Sequence, residues 1–228
     1  MLSEEKVQQF KVNGFVNGGK VLDDATVDVL RDEIMRVIDD RDNPNVKQPL
    51  LLHNLNRNSD AMVWQIVNIW EASEPFRKLM YQPEIVSSIA QLMDASEVRL
   101  WHDQIQYKPA KIGGVNMWHQ DSPYWPILTP MTSEITAWVA LDDVAEDNGC
   151  MSMVPGSYLW GNNIDFLHTL KSYDAMPGEF DGHELKVVSC PVNKGEVHFH
   201  HALTWHGSHA NTSGRPRRAI ALHYMSGE

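Results

Sequence analysis

In Trp118-His119-Gln120-Asp121 an imidazole and a carboxylate stand two positions apart. On an extended strand residues i and i+2 point to the same side, so His119 and Asp121 can reach one metal ion while Gln120 points away. An imidazole with a carboxylate suits a borderline metal such as iron(II) better than an all-sulfur or all-oxygen set does. A second candidate, Trp205-His206-Gly207-Ser208, lies beyond several β-rich runs. A third ligand from a distant strand is how two histidines and one carboxylate come to occupy one face of an octahedron, leaving three positions open. The third feature is Gly214-Arg215-Pro216-Arg217-Arg218-Ala219. A guanidinium inside a barrel can make a bidentate pair with the far carboxylate of a dicarboxylic cosubstrate. Neighbours on a strand face opposite ways, so at most one of Arg217 and Arg218 can serve. Each motif alone also has a plain reading. His-x-Asp arises often by chance, the chain holds 11 histidines, and an arginine-rich turn is commonly a solvated surface.

Such ligands need strands to carry them, and the second half of the chain supplies the pattern. From about residue 97 the runs Val98–Tyr107, Glu134–Leu141, Leu185–Val188, Glu196–His200 and Arg217–Tyr224 are short and β-rich, with Gly, Pro, Asn and Asp between them. The first half reads as helical. Ser3 caps a helix to about residue 13 with Glu4 and Glu5 in its first turn, and Gly14 ends it before Phe15-Val16 starts an extended piece. Asp23 or Asp24 caps a second helix that places Val27, Leu30, Ile34, Val37 and Ile38 on one face. Residues 42–60 read as a loop, and a third helical stretch runs from about 75 to 93 with a restart at Pro83. Helices first and strands afterwards predict an α+β fold, with helices packed on one side of a β-sandwich or barrel. Ser122–Pro130, with three prolines plus Tyr124 and Trp125, is a stiff aromatic loop; Gly161–His183 is long and polar, and both are candidate lids.

Composition bounds the rest. With 228 residues, 43% hydrophobic and 21% charged, the chain suits one domain, residues 1–228, with a helical flank over 1–95 and a strand-rich core over 96–228. A net charge of −11 argues against capture of nucleic acid or anionic membrane. No apolar run approaches the ~18 residues a bilayer span requires, and the N-terminus is acidic without a leader-like apolar region. Two cysteines, Cys150 and Cys190, form no disulfide framework, so a reduced, cytoplasmic setting is the expectation.

The motifs taken together resemble the phytanoyl-CoA dioxygenase family of iron(II)- and 2-oxoglutarate-dependent oxygenases. The resemblance rests on Trp118-His119-Gln120-Asp121 with Tyr124 and Pro126, and on Ala137-Trp138 through Asp147-Asn148-Gly149-Cys150. It continues in Val154-Pro155-Gly156-Ser157, Gly195-Glu196, and His206-Gly207-Ser208 with Asn211 and Arg217-Arg218-Ala219. It covers roughly residues 95–225. What it implies is a double-stranded β-helix, a jelly-roll or cupin-like barrel with packed N-terminal helices. It implies iron(II) on His119, Asp121 and His206, and the far carboxylate of 2-oxoglutarate on Arg217 with Ser208 beside it. Trp138 and Gln104 fall where the family contacts the cosubstrate. Dioxygen is the oxidant, hydroxylation of a small molecule the expected outcome, and succinate and carbon dioxide the co-products. Basic residues do not cluster near the candidate lids, so a coenzyme A thioester is not the expected substrate.

Several residues outside these motifs compete for attention. His198 and His200 would share a strand face; His198 is a candidate pocket residue and His201 a packed, hydrogen-bonded one. Trp118, Tyr124 and Trp125 flank the metal motif and are candidate pocket walls. Asp142, Asp143, Glu146 and Asp147 read as a solvated acidic turn. Two other classes stay open: a barrel that binds a metal and a small molecule without catalysis, and a cupin-like metalloenzyme that makes no use of 2-oxoglutarate.

Overall fold

The computed structural model describes residues 1–55 and 61–227. Ser3 accepts a hydrogen bond from the Lys6 amide and caps α1 (Glu4–Asn13), which ends at Gly14 with φ +82°. That left-handed conformation suits glycine, and a Cβ there would also lie 2.6 Å from Thr204 and Tyr158. The chain then enters β1 (Phe15–Lys20). Asp23, the first of the two expected caps, receives the Thr26 amide at 2.7 Å and opens α2 (Asp24–Asp39). All five apolar positions picked from its periodicity are buried, each contributing about 1.5–3 kcal/mol of apolar burial. The third helical stretch is two helices, α3 (Glu74–Leu79) and α4 (Pro83–Met93), with the restart at Pro83.

The loop expected over 42–60 is corrected in part. Residues Leu51–Asn54 form β2, which pairs with β3 (Trp64–Val67); positions 56–60 lie outside the described residues. β2 is too short and too exposed to show alternation, so nothing in its composition marks it as a strand. The remaining strands are β4 (Val98–Lys108), β5 (Asn116–His119), β6 (Glu134–Ala140), β7 (Met151–Met153), β8 (Glu179–Phe180), β9 (His183–Glu184), β10 (Val188–Cys190), β11 (Glu196–His201), β12 (His206–Ser208) and β13 (Arg217–Ser226). The run expected at Leu185–Val188 is displaced: only Val188 of it belongs to a strand, because β10 is set by its pairing with β7. The long stretch Gly161–His183 is not structureless. It carries α5 (Ile164–Thr169) and β8, and β9 begins at its last residue.

Two antiparallel sheets face each other. The larger runs β1-β11-β6-β13-β4-β3-β2 and the smaller β10-β7-β12-β5. This is the cupin-like jelly roll, with the helices on one side. Period-two alternation divides the large sheet between two tasks. Ile135, Ala137 and Val139 of β6, Val197 and Phe199 of β11, and Ile220, Leu222 and Tyr224 of β13 pack with the helices in one core cluster. The alternate residues face the small sheet, where Trp138, Ala140, Ala219 and Ala221 meet Met151, Met153 and Cys190.

The solvated acidic turn expected after β6 holds for Asp143, Glu146 and Asp147, which are exposed, and is corrected at Asp142. Asp142 is buried, accepting from Arg218 Nε (2.9 Å) and Nη2 (2.8 Å), from the Arg218 amide (2.8 Å) and from Arg31 Nη2 (2.8 Å). This clamp ties α2 to β13 and holds Arg218 on the helix side, so Arg217 faces the space between the sheets. Among the described residues no helix is long and apolar enough to cross a membrane.

Asp103 of β4 is fully buried beneath the turn at Ile69–Glu71, whose Ile69 and Trp70 amides donate to it at 2.9 and 3.3 Å. Burial pushes its carboxyl up to about 7, against the pull of those amides. A folded-state value above the unfolded one of 3.8 means that this group's contribution to stability is full below pH 4 and is lost as pH rises to 7. The thermal midpoint of Asp103→Asn relative to wild type is therefore expected to rise steadily between pH 4.5 and pH 8, beyond which the difference is flat.

Candidate metal centre

The small sheet brings two of the chemistry-bearing side chains together by register. β12 runs antiparallel to β5 with His206 directly opposite His119, and their ring centroids are 4.1 Å apart. Each ring is fixed by its own strand. His119 Nδ1 lies 2.7 Å from the Met117 carbonyl and His206 Nδ1 2.9 Å from the Thr204 carbonyl. A carbonyl oxygen can only accept, so both Nδ1 atoms carry the proton and both Nε2 atoms present a lone pair. Burial pushes both imidazoles down to about 4, so neither competes for a proton at neutral pH.

Asp121 joins them by a route that differs from the expected one. β5 ends at His119, and Asp121 has left the strand with φ −78° and ψ −57°, at the start of the turn Ser122–Tyr124. Its amide and that of Ser122 both donate to the Ala202 carbonyl, at 2.8 and 3.2 Å, which pins the turn to the chain just after β11. The Asp121 Oδ1 atom lies 3.7 Å from His119 Nε2 and 3.5 Å from His206 Nε2. One ligand atom from each of the three residues lies within 4.8 Å of the others. Gln120 does turn away. Its amide nitrogen donates to the carbonyls of Gly161 (2.9 Å) and Leu203 (2.7 Å), and its oxygen accepts from the Asn163 amide (2.7 Å).

The floor beneath the three donors is a set of transverse rows across the large sheet. His200, Thr136, His223 and His102 lie in register on β11, β6, β13 and β4. Asp121 Oδ2 receives Thr136 Oγ1 at 3.2 Å and lies 3.2 Å from His200 Nε2. With Oδ2 held, Oδ1 is the free coordinating oxygen. Burial opposes the Asp121 carboxylate, but the surrounding His206, His200 and His223 hold it well below its ordinary range. Asp121, Glu134 and His223 are a second set of close donors. Its Glu134 is buried and bonded to His223 Nδ1 at 3.0 Å, and burial, then the charge of Asp121, pushes its carboxyl well above the ordinary range. A carboxyl that resists ionisation and is already bonded is a poor ligand, so the donor chemistry favours His119, Asp121 and His206.

The next rows lead to the opposite end. His198, Trp138, Ala221 and Gln104 are in register, then Ala140, Ala219 and Gln106, then Arg217 with Lys108. An inner cavity of ≈ 40 Å³ touches the three donors and is bordered by Ser208, Trp138, Gln104, Gln106 and Asn116. Arg217 is fully buried and does not border this cavity. It stands behind Ser208, its Nη2 3.5 Å from Ser208 Oγ, its plane 5.1 Å from the Trp138 ring, and its Nε and Nη2 on the Gly149 carbonyl. Gly149 is required there, since a Cβ would lie 2.5 Å from the His209 carbonyl oxygen. Burial pushes Arg217 down to about 10, and no carboxylate pairs with it among the described residues. A buried guanidinium without a protein anion fits a cosubstrate that brings its own carboxylate.

An outer cavity of ≈ 540 Å³ opens from the donors and is bordered by Tyr124, Trp125, His168, Gln65 and Trp118. Tyr124 Oη and His168 Nε2 lie 2.8 Å apart, joining the aromatic loop to α5. Trp118 is buried and stacked on Tyr173. His198 borders neither cavity: it is buried and stacked on Phe15. Its strand-mate His200 is the one that reaches the centre, because β11 ends beside Asp121. His201 is a packed residue whose Nδ1 accepts the Leu203 amide at 3.0 Å. Thr136, His223, Gln106, Asn116 and Lys108 carry no mark in the sequence. Two-residue steps from Trp138, Gln104 and Arg217 along their strands reach four of them.

A model of the family "Phytanoyl-CoA dioxygenase (PhyH)" matches residues 10–219. The chain is 29% identical over 158 residues to a phytanoyl-CoA dioxygenase domain-containing protein 1 homolog of Caenorhabditis briggsae, covering 66% of this chain and 54% of that protein. It spans about half the length of the curated relatives it matches. Among solved structures it is similar to the non-heme alpha ketoglutarate dependent carbocyclase SnoK from nogalamycin biosynthesis, with TM-score 0.81 and 26% identity, covering 100% of this chain and 85% of that one. The corresponding epimerase SnoN has TM-score 0.80 and 25% identity, covering 98% and 82%.

The three donors predict a metal-binding result that needs no substrate. Asp121→Ala is expected to lower cobalt(II) affinity by more than about 100-fold, exceeding the usual loss from a supporting residue. Thr136→Val, which removes one of the two supports of Oδ2 but keeps all three donors, is expected to cost roughly tenfold. Titration followed by the cobalt absorption bands checks both.

Proposed function

The chain belongs to the phytanoyl-CoA dioxygenase family, and from that premise we propose that it is an iron(II)- and 2-oxoglutarate-dependent dioxygenase. In this reading it hydroxylates an unactivated C–H bond of a small-molecule metabolite, with release of succinate and carbon dioxide, and residues 1–228 work as one oxygenase domain. The observation that carries the proposal is the meeting of two features at one inner cavity. Three metal-competent donors stand at one end, and Ser208 backed by an unpaired buried guanidinium stands at the other.

His119, Asp121 and His206 would hold the iron, and two histidines with one carboxylate leave coordination positions for other ligands. Ser208, with Arg217 behind it, would hold the far carboxylate of 2-oxoglutarate, with Trp138 and Gln104 in the wall beside it. Bound iron and 2-oxoglutarate supply the oxidising chemistry, in which dioxygen is reduced as the keto acid is decarboxylated and one oxygen atom passes to the substrate. The chain's own part is to position and to shield. Neutral His119 and His206 keep their lone pairs on the metal side, and Thr136 fixes the Asp121 carboxylate. The outer cavity has the size of a small-molecule site. Tyr124 and Trp125 give it aromatic walls, and the Tyr124–His168 contact joins the aromatic loop to α5 at its rim. The carboxylate ligand separates this centre from one in which a halide would take that position.

Under anaerobic conditions, iron(II) and 2-oxoglutarate together are expected to give a visible charge-transfer band that neither gives alone. In air, a screen of candidate compounds is expected to find substrate-dependent succinate release. Asp121→Ala should abolish that release, and Arg217→Ala should raise the 2-oxoglutarate concentration required by about tenfold or more. Normal turnover by Asp121→Ala would remove the ligand assignment.

A further inference from the structure

Lys108 has no part in the chemistry described so far, yet it is fully buried. It is the cross-strand partner of Arg217, at the last inward position of β4. Two like charges directly opposite each other on an antiparallel pair destabilise it, and buried cations are rarely left without an anion. Here both are buried, and no carboxylate pairs with either among the described residues. Burial, then the charge of Arg217, pushes the Lys108 ammonium well below its ordinary range, and a carboxylate brought to the pair favours the charged form again.

The Lys108 ammonium is spent on one short segment. Nζ lies 2.7 Å from Ser208 Oγ, 2.6 Å from the His209 carbonyl and 3.4 Å from the Ser208 carbonyl. A hydroxyl has one proton to give and two lone pairs to offer. Ammonium and guanidinium groups only donate, and Lys108 and Arg217 both approach Ser208 Oγ, the second at 3.5 Å. The oxygen's lone pairs are thereby turned towards the two cations. Its proton is left for the side where Ser208 borders the inner cavity and where no protein acceptor meets it among the described residues. Of the three residues only Ser208 touches that cavity.

We propose that Lys108 is a positioning residue for the cosubstrate: it holds Ser208 Oγ from behind, so that the hydroxyl donates to the far carboxylate of 2-oxoglutarate and passes the paired positive charge on to it. The inference rests on the cosubstrate reading given above. It has a consequence for selectivity, because the Lys108–Ser208–Arg217 group favours a ligand with a second carboxylate over an otherwise similar 2-oxo acid that lacks one. A carboxylate in the cavity also offsets the repulsion between the two opposed cations.

The test is calorimetric binding of 2-oxoglutarate and of 2-oxobutyrate to the manganese(II)-loaded protein, where no turnover occurs. Wild type is expected to prefer 2-oxoglutarate strongly. Lys108→Met is expected to weaken 2-oxoglutarate binding by roughly tenfold or more while 2-oxobutyrate changes by less than about twofold. Lys108→Gln keeps donors at the position without the charge, and is expected to lose the same preference with an almost unchanged thermal midpoint. Adding Lys108→Met to Ser208→Ala should cost little more than Ser208→Ala alone, since the lysine acts through the hydroxyl. Three results overturn the proposal: unchanged preference in both lysine variants, equal loss of both ligands as a merely structural lysine would give, or fully multiplicative losses in the double variant. A wild type that binds 2-oxobutyrate as well as 2-oxoglutarate overturns it too. Wild type binding neither ligand is a different result, which removes the cosubstrate reading and this inference with it.

Discussion

Everything in the centre depends on the pairing of β5 with β12. That register sets His206 opposite His119, and a slip by one residue would turn one imidazole to the far side of the small sheet. The pairing also decides where Ser208 falls, two residues along the same strand and on the same face. One short ladder thus fixes both ends of the inner cavity, the metal donors and the hydroxyl. The large sheet responds to it row by row. Thr136 and His200 meet Asp121, Trp138 and Gln104 form the middle, and Arg217 with Lys108 closes the far end. The distance between the two ends is therefore counted in strand residues.

The helices contribute through the opposite face of the same strands. Each strand alternates between a residue that packs under α2 and α4 and one that faces the cavity, so the core and the site cannot be varied independently. Asp142 shows how closely the two are joined. By holding Arg218 and Arg31 at once it attaches α2 to β13 and, through strand alternation, leaves Arg217 as the inward arginine.

The helices were legible because caps and 3.6-residue periodicity are local, as Ser3, Asp23 and the five buried positions of α2 show. The long strands β4, β6, β11 and β13 were legible for the same reason. The short ones were not, since β7 and β12 have three residues each and exist through their partners. The three candidate donors could be picked out by type and the structure brings them together, although Asp121 reaches its place from a turn and not along the strand. The choice between Arg217 and Arg218 was framed by alternation but decided by Asp142, a residue that reads as solvent-facing until Arg31 is brought to it across the fold. Lys108 and Thr136 carry no signature of their own. Their role comes from which strand lies beside which, and single-strand patterns do not contain that.

Gln120 has a consequence of a different kind. It sits between two donors in the chain, but its amide is spent on Gly161, Asn163 and Leu203, the root of the long excursion that ends at His183. The root is thereby fixed to the backbone of the centre, while α5 and the β8–β9 hairpin beyond it are attached mainly by their own packing against Trp205 and Trp118. The excursion is not a free insert, because Tyr173 stacks on Trp118 and Phe166 and Phe180 pack on Trp205, the residues that precede His119 and His206. A different sequence spliced after Asn163 and before Leu185 would meet the same anchor but would have to bring new partners for both tryptophans. For a designer the fold offers a docking port for new substrate walls, with Gln120 as the latch and the two indoles as sockets to be refilled.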